Sequence, residues 1–381
     1  MALDYINEVR GRYEAWWKNQ NDEPLFYIIY PKDGANFDPV AKDWMAPRIR
    51  GDWSNWQQEF VLGQALELSY KSGEDHYIEE AIDFLEHYAD VTGHAAEGYS
   101  FLNPAFGPGS LSAFITGFSE FKDSTIWLEM DPPMEWDAIL EIDENTRHPY
   151  ADAALEVTRR AKDRLKERFV FGTPDLGGVC DILSSLRGVN NLLLDTLTQP
   201  DEVHQALDVL EKLWFKFYEE FSAIVNPDNH GCYSTVMRWL SAKPVNTGIC
   251  DFSAMIGPDM FQEYALPPLE RDVEYFDGRV IYHLDGPGEI PHVDTICGIE
   301  KLTAIQWVPG AGNPGTTDPY WDDLYRRILD HGKKIALGGA SKDMDELRAF
   351  FKRFPAREFF APFTVQSEKQ AEELLRLKDE V

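Results

Sequence analysis

A histidine and an aspartate two residues apart are the pair best suited to chemistry in this chain. His283 and Asp285 end the mainly apolar run 280–285, and Gly286 follows them. Because side chains alternate along a β-strand, these two point to the same side. An imidazole and a carboxylate on one face can exchange a proton with a substrate or bind a metal ion together. The sequence therefore predicts a catalytic pair, or two metal ligands, at the end of a strand.

Further candidate residues stand near other predicted strand ends. Glu129 is a candidate general base or additional ligand, on a predicted hairpin. Asp175 is a candidate for the pocket or, alternatively, a helix cap. Because side chains alternate along a strand, only one of Gln306 and Trp307 can face a pocket. Carboxylates and amides orient a substrate, whereas tryptophans form an apolar or cation-binding wall. The candidate substrate-binding residues are Asn103, Trp127, Asp175, Trp239, Asp251, Gln306 and Trp307.

The elements that must hold these residues alternate between strand and helix. Short apolar runs closed by glycine or proline predict strands, and the segments between them have helical periodicity. Eight strands with intervening helices predict an α/β fold of the (β/α)8 barrel type, with active sites at the carboxyl ends of the strands. A doubly wound open sheet is the alternative, but no Gly-x-Gly-x-x-Gly turn follows the first strand. The predicted strands are residues 25–30, 99–103, 169–172, 232–238, 280–284, 304–308, 334–337 and 358–362.

Two additions to the barrel are predicted. An N-terminal helical extension precedes the first strand, and the β-like segments 124–129 and 138–142 indicate a hairpin inserted after the second strand. The length is sufficient for one large core, and we expect residues 1–381 to form a single domain.

Charge and cysteine content exclude several classes of partner. The chain has 66 acidic and 36 basic residues and a net charge of −30, which repels nucleic acids and anionic membranes. The 4 cysteines form no Cys-x-x-Cys pair, which argues against a disulfide scaffold and is typical of a reducing compartment. With no signal-peptide pattern and no membrane-spanning apolar run, we expect a cytoplasmic protein.

A series of short motifs stands in a fixed order between Gly172 and Gly339. In order and spacing these motifs resemble the uroporphyrinogen decarboxylase superfamily, which includes the haem-pathway decarboxylase and cobalamin-linked methyltransferases. The resemblance implies the (β/α)8 barrel and is compatible with a homodimer. The motifs are Gly172-Thr173-Pro174-Asp175-Leu176, Leu192-Leu193-Leu194-Asp195, Asp251-Phe252-Ser253, Pro258-Asp259-Met260-Phe261, His283-Leu284-Asp285-Gly286, Ile305-Gln306-Trp307-Val308-Pro309-Gly310 and Gly338-Gly339.

Departures from that pattern distinguish the branches of the superfamily. Where the decarboxylase has an arginine-rich loop for porphyrin propionates, this chain has Tyr30-Pro31-Lys32-Asp33-Gly34. Where thiol-specific methyltransferases have zinc-binding His-x-Cys, it has His283-Leu284-Asp285. A porphyrin substrate and a thiolate zinc site are therefore disfavoured. A site built from His283 and Asp285 for zinc or another divalent metal remains, as does acid–base chemistry without a metal.

Three functions follow from the resemblance. The leading one is a methyltransferase that moves a methyl group from a small methylated ether or amine to a corrinoid on a partner protein. In it, His283 and Asp285 assist departure of the heteroatom. The first alternative is a decarboxylase or lyase of a small organic acid. The second is a non-catalytic barrel that binds a small molecule.

Overall fold

The computed structural model describes residues 3–46, 49, 60–122, 125–128 and 130–381. A seven-stranded, mostly parallel sheet lies at its centre, accompanied by two two-stranded sheets. Within the described residues the strands are β1 (Leu25–Pro31), β2 (Thr92–Ala96), β3 (Phe101–Leu102), β4 (Glu120–Lys122), β5 (Thr125–Trp127), β6 (Val170–Phe171), β7 (Asn246–Ile249), β8 (Val280–Asp285), β9 (Ala304–Val308), β10 (Lys334–Leu337) and β11 (Phe359–Thr364).

The strand order of the central sheet is β2-β1-β11-β10-β9-β8-β7. Strand β2 is antiparallel to β1, and every other pair in this sheet is parallel. Strand β3 pairs in parallel with β6 in a separate sheet. The arrangement is consistent with a barrel-like fold, although no strand pairing among the described residues closes the ring.

Helices follow most of the parallel strands and cover the outside of the sheet. None of those in the described part of the chain has the length and apolar character that a bilayer crossing requires. They are α1 (Leu3–Trp17), α2 (Val61–Ser72), α3 (His76–Val91), α4 (Leu111–Thr116), α5 (Trp136–Leu140), α6 (Pro149–Leu165), α7 (Val179–Arg187), α8 (Val189–Thr198), α9 (Pro200–Val225), α10 (Pro258–Met260), α11 (Leu266–Tyr275), α12 (Val293–Cys297), α13 (Asp322–Asp330), α14 (Met344–Phe351) and α15 (Glu368–Glu380).

Alternation along the strands divides the inward-facing side chains into two layers. The first layer is apolar and includes Ile281, Ala304 and Phe360, which belong to one buried cluster. Two residues further along the same strands, His283, Gln306 and Pro362 line a cavity instead. The predicted N-terminal helix is present, and its buried residues at positions 6, 9, 13 and 16 join the apolar layer. Helix α1 thus covers the amino-terminal end of the strands, and the cavity lies at the other end.

The fourth predicted strand is wrong, whereas the other seven are present, β9 and β10 with the predicted ends and the other five with shifted ends. Residues 232–238 form a loop, closed by reciprocal backbone hydrogen bonds between Tyr233 and Ser241. The fourth parallel strand is instead β7, which pairs with β8. The loop has β-forming residue types and β7 contains Gly248, but the packing of side chains determines which segment pairs as a strand. A Cβ on Gly248 would lie 2.8 Å from the Leu269 side chain, so a larger residue would separate helix α11 from the sheet.

The predicted hairpin is present in part. Strands β4 and β5 form an antiparallel pair, with Glu120 opposite Trp127. The second predicted segment, 138–142, is wrong because it begins inside helix α5. Trp136, Ile139 and Ile142 are all buried, and their spacing of three residues follows a helix rather than a strand.

Candidate functional site

A cavity of about 830 Å³ opens at the carboxyl ends of the parallel strands. Its volume is within the range of small-molecule sites, roughly 300–1,000 Å³. Apolar side chains such as Ile126, Leu128 and Ile182 form part of its wall. Its charged lining residues are Asp175, Asp181, Asp251, Asp285, Arg238 and Lys342, together with His283.

Three of these residues form a compact group that fits a metal ion. One ligand atom each from Asp251, His283 and Asp285 lies within 4.8 Å of the other two. His283 and Asp285 are neighbours through strand alternation, whereas Asp251 begins the 3-10 helix Asp251–Met255 just after β7. One nitrogen and two carboxylate donors suit zinc, and with added oxygen ligands suit other divalent ions. We refer to Asp251, His283 and Asp285 as the triad.

Gln306 fixes the orientation of the histidine ring. Its Oε1 lies 2.6 Å from His283 Nδ1, and its side chain is buried. The amide oxygen only accepts, so Nδ1 carries the hydrogen and Nε2 keeps its lone pair for a ligand. Strands β8 and β9 pair His283 directly with Gln306, which brings the two side chains together. Such a partner is typical of a metal-binding histidine.

A glutamate behind the triad holds the backbone of Asp285. Glu289 Oε1 accepts from the Asp285 backbone N–H at 3.2 Å, and Oε2 accepts from Tyr282 Oη at 2.9 Å. Burial raises the pKa of Glu289 to about 9, and the hydrogen bond from Tyr282 opposes that rise. Burial therefore favours the protonated form of Glu289 beside the triad.

Two further aspartates of the cavity have raised pKa values. Burial and then the negative charge of Asp251 raise the pKa of Asp181, whose Oδ1 accepts from the Phe252 backbone N–H at 2.7 Å. The other oxygen, Oδ2, has no hydrogen-bond partner among the described residues. Burial also raises the pKa of Asp175 to about 6, against hydrogen bonds from the Gly177 and Gly109 N–H groups. A carboxyl that keeps its proton near neutrality can act as an acid.

Asp251 itself is affected by the same crowding. Burial raises its pKa, the nearby imidazole of His283 opposes the rise, and the negative charge of Asp285 adds to it. A bound cation would stabilise the charged forms of both carboxylates. A cation bound between the three side chains would thus reduce the repulsion between Asp251 and Asp285.

Of the other predicted site residues, some line the cavity, some lie in the core, and some lie outside the described residues. Asn103, Asp175, Asp251 and Gln306 line the cavity with His283 and Asp285. Asn103 is 1% exposed, and neither its Oδ1 nor its Nδ2 has a partner among the described residues. Leaving such a group unpaired costs about 1–3 kcal/mol, so its presence indicates a ligand-binding role.

Trp239 and Trp307 lie away from the cavity, contrary to expectation. Trp307 faces the outer helices, where its ring lies 4.7 Å from that of Trp321, because its neighbour Gln306 takes the inward position. Trp239 joins the apolar layer beside helix α1, since the fourth strand that was to carry it to the cavity is a loop. The side chain of Trp127 and the whole of Glu129 lie outside the described residues.

Sequence reasoning missed three charged cavity residues: Asp181, Arg238 and Lys342. Asp181 stands in the first turn of helix α7, directly after the glycine-rich strand end that holds Asp175. This position could have indicated that Asp181 lies at the cavity, because helices that follow barrel strands begin at the active-site end. Arg238 and Lys342 come from loops whose path the local sequence does not predict.

Comparison with solved structures identifies a fold relative. The chain is similar to a methyltransferase from Methanosarcina mazei, with a TM-score of 0.56 and 11% sequence identity over 98% of both chains. No protein-family model and no curated protein matches the sequence. At this identity the similarity establishes a shared fold over nearly the full length.

Proposed function

We propose that this protein is a methyltransferase that moves a methyl group from a small methylated donor to a corrinoid carried by a partner protein. The triad, whose three residues line a large cavity, is the observation that carries this proposal. The fold shared with a methyltransferase supports it. We further propose that the chain is one divergent (β/α)8 barrel domain of the uroporphyrinogen decarboxylase superfamily.

The donor atoms of the triad fit a divalent metal. His283 offers Nε2 because its Nδ1–H donates to Gln306 Oε1, and each aspartate offers an oxygen. A bound zinc or similar ion would polarise the oxygen or nitrogen of the donor, which is the assistance that a poor leaving group needs. Acid–base action by the same residues without a metal is the simpler form of the proposal.

The remaining residues bind the donor and supply a proton. Asp181 keeps a proton near neutral pH and leaves Oδ2 unpartnered, so it can protonate the departing heteroatom. Ile126, Leu128 and Ile182 surround the methyl group with apolar surface and exclude water. Asn103 orients the methylated substrate by hydrogen bonds, because its amide has both an N–H donor and an oxygen acceptor.

The test combines metal analysis with corrinoid spectroscopy. Purified protein and the His283→Ala variant are analysed for bound metal, then mixed with Co(I) cobalamin and a panel of methylated ethers and amines. We expect about one metal per wild-type chain, less in the variant, and methyl-Co(III) absorption with the wild type alone. If neither protein contains metal, the result favours acid–base catalysis by the same residues without a metal. If methyl-Co(III) forms with none of the donors, the result contradicts the proposed methyl transfer.

A decarboxylase or lyase of a small acid is the second candidate. The raised pKa values of Asp175 and Asp181 favour it, because a protonated carboxyl beside a substrate can protonate a carbanion. Release of carbon dioxide from an acid without corrinoid would identify this reaction. Unchanged ligand affinity and no activity change in His283→Ala would favour a binding protein.

A further inference from the structure

Asp175 is a carboxylate of the cavity wall that lacks a positively charged partner. Its Oδ1 accepts from the Gly177 backbone N–H at 2.9 Å, and no ion pair within the described part of the chain involves it. Burial raises its pKa to about 6, so the carboxylate form lacks the stabilisation that a neighbouring cation would give. Buried charges in proteins are normally paired, so an unpaired one at a cavity indicates a ligand of opposite charge.

Asn103 lies at the strand end next to that of Asp175. It directly follows β3, which pairs in parallel with β6, the strand before Asp175. The backbone N–H and the hydroxyl of Ser110 both donate to the Asp175 carbonyl oxygen, at 2.9 and 2.6 Å. A Cβ on Gly177 would lie 2.6 Å from Gly109 Cα. The loops that follow β3 and β6 are therefore in close contact, and both line the cavity.

The amide of Asn103 also lacks a partner. Its side chain is almost fully buried, and neither Oδ1 nor Nδ2 has a hydrogen-bond partner among the described residues. Because buried polar groups are nearly always hydrogen-bonded, such a group at a cavity indicates that a ligand supplies the partner. The amide oxygen and the carboxylate of Asp175 both accept hydrogen bonds. A positively charged group with several N–H donors would therefore satisfy the two together.

These two residues adjoin the triad without belonging to it. Gly178 follows Asp175 closely in the chain, and a Cβ on it would lie 2.0 Å from the carbonyl oxygen of Ile249, the last residue of β7. Asp251 stands just after Ile249, and its negative charge contributes to the raised pKa of Asp175. One small molecule can therefore reach Asp175 and the triad at the same time.

The charges of the cavity favour a cation over an anion. Four aspartates line it, against the two basic residues Arg238 and Lys342. Lys342 is exposed, and the guanidinium carbon of Arg238 lies 5.7 Å from the ring centre of Tyr27 and 5.9 Å from that of Phe101. A cleft with an excess of carboxylates, in a chain of net charge −30, concentrates cations from solution.

We propose that the methylated donor carries a separate ammonium group, which Asp175 and Asn103 bind, while its methylated oxygen or nitrogen faces the triad. An ammonium group has a positive charge and N–H donors, so it supplies the partner that each of the two residues lacks. The inference rests on the methyl-transfer function proposed above and specifies its substrate class. The ammonium group anchors one end of the donor and is not consumed. Only the bond between heteroatom and methyl group breaks, and its electron pair stays on the heteroatom.

Binding of matched amines and alcohols tests this by calorimetry at neutral pH, where the amines are protonated. The pairs are methoxyethylamine and methoxyethanol, para-methoxybenzylamine and para-methoxybenzyl alcohol, and para-methoxyphenethylamine and para-methoxyphenethyl alcohol. We expect at least one amine to bind about tenfold more tightly than its alcohol, because charge-assisted hydrogen bonds replace neutral ones. Failure of all three amines to bind, or equal affinity within every pair, would overturn the proposal.

Variants locate the effect. Asp175→Asn removes the charge but keeps an oxygen for the Gly177 N–H, and it should abolish the preference for amine over alcohol. Asp208→Asn makes the same change at an exposed position of helix α9 and should retain the preference. Asn103→Leu removes the amide oxygen at similar volume and should weaken the amine more than the alcohol. Thermal unfolding verifies that each variant is folded, and a preference retained in both cavity variants contradicts the assignment.

Coordination of the amine to a metal in the triad would also favour amines over alcohols. Repeating the titrations after treatment with a chelator separates the two origins. We expect the preference to persist, because Asp175 and Asn103 are not members of the triad. Loss of the preference after chelation, with the preference retained in Asp175→Asn, would assign the amine to the triad and overturn the proposal.

The assay separates this inference from the function on which it rests, because it needs neither corrinoid nor turnover. Methyl transfer from the neutral alcohols, with equal affinity within every pair, would overturn the ammonium proposal and leave methyl transfer standing. A preference for amines that depends on Asp175, with no methyl transfer from any donor, would overturn the proposed function only.

Discussion

Replacing Gln306 should weaken metal binding without removing a ligand. In Gln306→Leu the Nδ1–H of His283 loses the acceptor that lies 2.6 Å away, and the imidazole is no longer held with Nε2 toward Asp251 and Asp285. Loss of such a supporting group typically reduces metal affinity about 10- to 100-fold. That factor corresponds to about 1.4–2.7 kcal/mol of binding free energy.

Zinc affinity measured by competition with a chelating dye tests this prediction. Gln306→Glu keeps an acceptor for the Nδ1–H, so it should lose less affinity than Gln306→Leu. Gln199→Leu is the matched control, because it removes a glutamine hydrogen bond to Asp195, which is not a cavity residue. Wild-type affinity in Gln306→Leu, with loss in His283→Ala, would refute the role of Gln306. No zinc binding by the wild type would refute the metal site.

Three further predictions concern stability and pH. Trp307→Ala should lower the free energy of unfolding by about 3–5 kcal/mol in urea titration, because it empties a core position against Trp321, yet leave zinc affinity unchanged. Asp195→Ala should cost about 3 kcal/mol in the same measurement, because it leaves the largely buried Arg187 without the partner that lies 2.7 Å away. Burial raises the pKa of Asp272 to about 7, so the folded protein holds this proton more tightly than the unfolded chain. Its contribution to stability is therefore present below about pH 4 and lost as pH rises through about 7. The difference in melting temperature between wild type and Asp272→Asn should decrease over that interval, and a constant difference would contradict the assignment.

Local patterns predicted those parts of the fold that depend on neighbouring residues. Alternation along β8 placed His283 and Asp285 on one face, and both line the cavity. The same alternation allowed only one of Gln306 and Trp307 to face inward, but the sequence did not indicate which. The inward side is decided by the register of β9 between β8 and β10.

Contacts between distant segments could not be predicted. Asp251 joins the triad because β7 pairs with β8, and the sequence favoured residues 232–238 for that strand instead. Pairing and packing of Gly248 outweighed the higher β-propensity of the alternative. Because that strand was wrong, Trp239 was expected at the cavity and Arg238 was overlooked.

By itself, the sequence determined seven of the eight predicted strands, the N-terminal helix and the shared face of His283 and Asp285. Each depends on periodicity and turn residues within a few positions of the chain. Only the tertiary structure decided that Asp251 and Gln306 surround His283, and that Arg238 and Asn103 line the same cavity. Those relations depend on strand order and loop path, since residues far apart in sequence meet only when the sheet curves around a common interior.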